Sequence, residues 1–125
     1  MVGLVIVSHS EKLAQGVAEL AHEMAKETPI AVAGGMPDGS LGTSFERVYE
    51  AIKSVYSEDG VLILLDMGSA VMTAEMAIEK HGGNIRIADS PLVEGAVLAA
   101  IQSSIGCPIS QVELAALLSR REDKL

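Results

Sequence analysis

The sequence predicts a three-layer α/β/α fold, a four-stranded parallel sheet in the expected order 2-1-3-4 with helices on both faces. Three observations carry this. Apolar runs and helical patterns alternate four times along the 125 residues, which implies parallel strands joined by right-handed crossovers. The run Val61–Leu65 reads Val-Leu-Ile-Leu-Leu without polar interruption, as a strand covered on both faces does. Capping and turn residues stand where one pattern changes to the other.

The first strand covers Val2–Val7 and stops at Ser8, His9 and Ser10. The helix after it places Leu13, Val17, Leu20, Ala21 and Met24 on an apolar face, with Glu11, Glu19, Glu23 and Lys26 opposite. Thr28 and Pro29 end it, because proline disfavours a helical residue before it. The second strand, Ile30–Ala33, opens into a glycine-rich loop from Gly34 to Thr43. Thr43 and Glu46 have capping-box spacing and start a helix with Val48, Ile52 and Val55 on one face, ending near Asp59 and Gly60. The third strand, Val61–Leu65, hands over through Asp66, Met67, Gly68 and Ser69. Its helix runs through Val71, Ala74, Ala77 and Ile78, and Gly82 and Gly83 close it after His81. Met67, Met72 and Met76 are expected to pack in the core. The fourth strand, Asn84–Ala88, leads through Asp89 and Ser90 to a helix that Pro91 is suited to begin and that ends near Gly106. A last helix opens at Ser110, with Glu113 completing a second capping box, and reaches about Arg120 before a frayed tail.

Composition narrows the function. An apolar fraction of 49% excludes disorder, and one domain over residues 1–125 is long enough for a single core. A net charge of −8 disfavours nucleic acid and anionic membranes as partners. Aromatic residues make up 2%, too few for the stacking platforms of single-strand binding. No run approaches the roughly 20 apolar residues of a membrane span, and the amino terminus lacks a basic leader. The single cysteine, Cys107, forbids an internal disulfide; a reducing cytoplasm is the expected setting, with Cys107 a half-buried apolar residue.

In a parallel α/β sheet the ligand crevice lies at the carboxyl ends of the strands. That edge collects Ser8, His9 and Ser10, the Gly34–Thr43 loop, Asp66 to Ser69, and Asp89 with Ser90. His9 is its only imidazole; His22 falls within a helix, and His81 sits at a helix carboxyl end, where the dipole favours it. At a helix amino terminus the dipole disfavours imidazolium, so a neutral, nucleophilic ring is expected at His9. Asp66 is placed to hold one ring nitrogen and leave the other free, the base-and-orienter arrangement of activated nucleophiles. Amides at the same helix end suit an anion such as a phosphoryl group. Its cradle is expected near Ser10, Met67, Gly68 and Ser69, with Thr43 or Ser44 assisting and Gly35 shaping the loop. Metal and cofactor sites are not expected: the three His and one Cys are scattered, and no P-loop, GxGxxG or Gly-x-Ser-x-Gly pattern occurs.

Four stretches carry a resemblance. Val2–Ser10 with Asp66–Ala70 resembles the mannose-type EIIA domains of the bacterial phosphotransferase system. Gly34 and Gly35 with Gly42, Thr43 and Ser44, and Ser90–Ala96, look most like the members that serve as phosphoryl-donor subunits of phosphoenolpyruvate-dependent dihydroxyacetone kinases. The resemblance implies a cytoplasmic homodimer without cofactor. His9 would take a phosphoryl group from phospho-HPr, with Asp66 orienting the ring, and pass it to ADP held by a DhaL subunit that works with DhaK. A chain ending at Leu125 would rely on a separate HPr. Rival readings are a domain phosphorylating the IIB component of a sugar transporter and a ligand-binding regulatory module without transfer chemistry. Pro91–Ala96 reads as a helix start packed on the sheet, with docking by Leu92, Val93 and Glu94 as the alternative.

Overall fold

The computed structural model describes all 125 residues. Four parallel strands, β1 (Gly3–Ser8), β2 (Ile30–Gly34), β3 (Val61–Leu65) and β4 (Ile85–Ala88), form one sheet in the order β2-β1-β3-β4, as expected. Helices α1 (Glu11–Met24), α2 (Phe45–Val55), α3 (Val71–His81), α4 (Leu92–Ser104) and α5 (Ile109–Leu118) cover it, and a 3-10 turn, Gly68–Ala70, precedes α3.

The period of two in β1 divides the core. Leu4 and Ile6, with Leu62 and Leu64 of β3, meet Ala14, Val17 and Ala21 of α1 and the small residues of α4 and α5. Val5 and Val7, with Ile63, meet Val48 and Ile52 of α2 and Ala74 and Ala77 of α3 on the other face. All six residues of β1 are buried. Central position forces both registers, Val7 opposite Ala33 of β2 and Leu65 of β3, and so sets the end of β1 against the end of β3.

Several local expectations are corrected. Ser44, not Thr43, caps α2: its hydroxyl accepts from the Arg47 amide at 3.3 Å, and α2 ends at Val55. Two hydroxyl residues stand side by side there, and Thr43 is drawn instead to Thr73 of α3, Oγ1 to Oγ1 at 3.2 Å. α5 begins at Ile109 behind Pro108 with no side-chain cap, and Glu113 accepts from Arg86 at 3.0 Å rather than completing a capping box. In α1 the buried face is Ala14, Val17 and Ala21, while Leu13, Leu20 and Met24 are exposed. Met67, Met72 and Met76 are likewise exposed. For the helical residues the cause is shared: helices seat their alanines on the sheet to come close, which turns the longer apolar side chains outward; Met67 lies in the turn before α3.

Candidate active site

The site forms where β1 and β3 end side by side, the position at which chain order reverses across the sheet. β1 delivers His9 just beyond Ser8, and β3 delivers Asp66 just beyond Leu65. Asp66 accepts at both oxygens. The His9 backbone N–H donates to Oδ2 at 2.9 Å and the Ser8 hydroxyl donates to the same oxygen at 3.0 Å. The His9 Nδ1 lies 3.1 Å from Oδ1 and 3.3 Å from Oδ2. A carboxylate at that distance fixes the tautomer with the proton on Nδ1. Nε2 then carries the lone pair, and the Ser69 hydroxyl, 3.0 Å away, donates to it. The His9 side chain is 23% exposed and that of Asp66 10%, so the ring is reachable while its anchor is sheltered.

Burial works against the Asp66 charge, but the donors from the His9 backbone, the His9 ring and Ser8 outweigh it. Together they hold the Asp66 carboxyl below its ordinary value.

The structure brings the expected residues together in two groups. Met67, Gly68 and Ser69 stand beside the ring; the Gly68 and Ser69 amides precede the turn's first bond, Ala70 N–H to Met67 O at 3.1 Å, and belong to the free amino end of a helical turn. Ser10 adjoins His9, yet its hydroxyl caps α1 by accepting from Leu13 N–H at 3.2 Å, and its N–H donates to Ser8 Oγ at 3.0 Å. The second group supports the backbone. Gly35 N–H donates to Ser8 O at 3.0 Å and Gly42 N–H donates to His9 O at 2.9 Å, so the glycine loop grips the strand end that presents the ring. Gly35 has φ +69°, and a Cβ there would lie 3.1 Å from Ser40 O. Thr43 and Ser44 hold the loop to α3 and α2 and do not touch the ring. Arg47 clamps the same loop, donating to Gly34 O at 2.9 Å and Glu11 Oε2 at 3.0 Å. Beside Asp66 a groove of about 430 Å³ opens between the ends of β3 and β4, floored by Leu65 and Ile87 and edged by Glu75 and Asp89.

Sequence reasoning placed Ser8 on the site's edge without giving it a role, and missed Arg47. Ser8 had a signal, a hydroxyl closing an otherwise apolar buried strand; Arg47 had none, because its partners lie 13 and 36 residues away.

The family model EIIA-man, PTS system fructose IIA component, matches residues 3–113. The chain belongs to the mannose-type EIIA family. This EIIA domain is 41% identical, over 98% of its length, to the PEP-dependent dihydroxyacetone kinase phosphoryl donor subunit DhaM of Escherichia coli K12, and spans 28% of that longer protein. It is 36% identical to the PTS-dependent dihydroxyacetone kinase phosphotransferase subunit DhaM of Lactococcus lactis, covering 89% of each chain. Among solved structures, the EIIA domain superposes on EF1359, a protein of unknown function, with a TM-score of 0.80 and 29% identity over 94% of both chains. No helix is long and apolar enough to cross a membrane.

Proposed function

We propose that the chain is a phosphohistidine carrier. It accepts a phosphoryl group on His9 from phospho-HPr and passes it to ADP in the DhaL subunit of a dihydroxyacetone kinase, in the cytoplasm where these partners work. One observation carries this reading: a single imidazole whose Nδ1 faces a charged carboxylate and whose Nε2 faces outward to a movable hydroxyl. The DhaM relatives support the choice of system.

The geometry performs the transfer in steps. The Ser69 hydroxyl leaves Nε2, whose lone pair attacks the phosphorus of the donor. The new P–Nε2 bond forms as the donor's P–N bond breaks, and the electron pair of that bond returns to the donor imidazole. Nδ1 keeps its proton, so the phosphorylated ring is an imidazolium, and Asp66 stabilises its charge. The Ser69 hydroxyl and the amides of Gly68 and Ser69 then donate to the phosphoryl oxygens, the positioning on which this chemistry depends. In the second half a β-phosphate oxygen of ADP attacks phosphorus, and the leaving ring is a good one because it is already protonated.

Homodimerisation belongs to the same reading. Leu13, Leu20 and Met24 of α1, Ile105 after α4, and Leu114 and Leu118 of α5 are exposed on one helical layer, and α4 holds a single charged residue, Glu94. Apolar surface of this kind marks an interface. Sedimentation of wild type and Leu114→Glu tests it: a dimer that the variant splits is expected, and a wild-type monomer rejects it.

The first test of the carrier role is labelling with enzyme I, HPr and radiolabelled phosphoenolpyruvate. Acid-labile phosphate on wild type and none on His9→Ala is the expected result; unlabelled, folded wild type defeats the reading. Addition of DhaL–ADP or a IIB component then separates the kinase donor from a transporter component.

A further inference from the structure

We infer that Ser8 is a positioning residue for phosphoryl transfer, the buried latch that holds Asp66 in the orientation His9 needs. The inference deepens the carrier reading and rests on it.

Ser8 is fully buried at the last position of β1, with 0% of its surface exposed. Its hydroxyl is used twice. It accepts from the Ser10 N–H at 3.0 Å and donates to Asp66 Oδ2 at 3.0 Å. The first bond dictates the second: with the amide proton on one side of Oγ, the hydroxyl's own proton points to the carboxylate. Bonds arranged head to tail in this way strengthen one another in a sheltered site.

The consequence lies in how Asp66 divides its oxygens. Oδ2 receives two donors that do not belong to the ring, the Ser8 hydroxyl and the His9 N–H at 2.9 Å. Oδ1 is left as the oxygen nearer to Nδ1, at 3.1 Å against 3.3 Å. A carboxylate anchored at one oxygen cannot swing freely, so the ring it holds keeps one tautomer and one direction. The Ser10 bond extends the latch to the other side of His9, since Ser10 caps α1. The reactive residue therefore stands between two neighbours tied to each other beneath it. Removal of the hydroxyl leaves Asp66 with one lateral anchor and the Ser10 amide, a partly buried donor, without its acceptor.

The test is a double-mutant cycle on the rate of His9 labelling by phospho-HPr, joined to the ring nitrogen shifts of His9 by NMR. Ser8→Ala is expected to slow labelling by roughly tenfold, the size of one hydrogen bond to a charged group. It should also raise the fraction of His9 protonated at Nε2. In an Asp66→Asn background the same change should have little further effect, because the latch acts through the carboxylate. Ser8→Cys, which is slightly larger and a weaker donor, should slow labelling as well and covers the case in which Ser8→Ala does not fold. Folded Ser8 variants with wild-type rate and tautomer overturn the inference. So does a slowing equal in both backgrounds, which assigns Ser8 to general stability. Wild type that takes no label from phospho-HPr strikes the carrier reading instead, and the tautomer measurement, which needs no phosphoryl donor, still decides whether Ser8 holds the ring.

Discussion

His9 and His81 are the same side chain at opposite ends of helices, and their surroundings give them opposite uses. His9 precedes the amino end of α1, with a carboxylate at Nδ1 and a hydroxyl at Nε2. His81 closes α3 at its carboxyl end, where Nδ1 lies 2.6 Å from Gly82 O and the ring packs on Tyr56 with centroids 4.6 Å apart. One ring is braced at Nδ1 and meets only a rotatable hydroxyl at Nε2. The other is bound to backbone and to an aromatic face, which pins α3 beside α2. The lesson is that an imidazole becomes a nucleophile when a charged acceptor holds one nitrogen and nothing permanent holds the other.

That contrast can be broken or sharpened by experiment, beginning with the largest effect. His9→Ala is expected to abolish labelling while His81→Ala labels at the wild-type rate; equal loss in both would dissolve the distinction. Asp66→Ala should slow labelling on the order of a hundredfold with the fold retained, the scale of a positioned proton-holding group; single-turnover rates and a circular dichroism melt read the two effects separately. Ser69→Ala should slow transfer by roughly tenfold, as expected for one lost donor to a charged phosphoryl group, and should not alter the tautomer of His9 in NMR spectra. His81→Ala should instead cost about 1 kcal/mol of stability through lost aromatic contact, a shift of a few degrees in Tm.

The pH dependence of stability probes the carboxylate that braces His9. The folded Asp66 carboxyl lies below its ordinary value of 3.8, so it binds fewer protons folded than unfolded in the acid range. Its contribution to stability is present above the unfolded value and is lost as pH falls through the folded one. The stability gap between wild type and Asp66→Asn should therefore narrow as acid denaturation is approached. A gap constant from pH 7 down to pH ~3 would show that the carboxylate does not hold its charge through these bonds.

The strand-to-helix handovers were legible because burial imposes period on sequence: Val61–Leu65 has no polar residue, and β1 has none before Ser8. His9 stood out because it alone put an imidazole at a strand end. Less local choices were not legible. Thr43 and Ser44 are equivalent as caps until Thr73, on another helix, draws one of them away. Leu13, Leu20 and Met24 fit a helical face as well as Ala14, Val17 and Ala21 do, and only the closeness of α1 to the sheet selects the smaller set.

By itself the sequence determined the alternation of strands and helices, the sheet edge that holds the candidate site, and the histidine that stands there. Those follow from periodicity and capping, which act over a few residues. The tertiary structure alone decided what His9 touches. Asp66 is 57 residues away and reaches the ring because β1 and β3 pair in register, Val7 against Leu65. Ser8 becomes a latch only when that pairing buries it. Contacts between distant residues are set by the packing of the whole sheet, a sum of many small apolar terms that no local pattern contains.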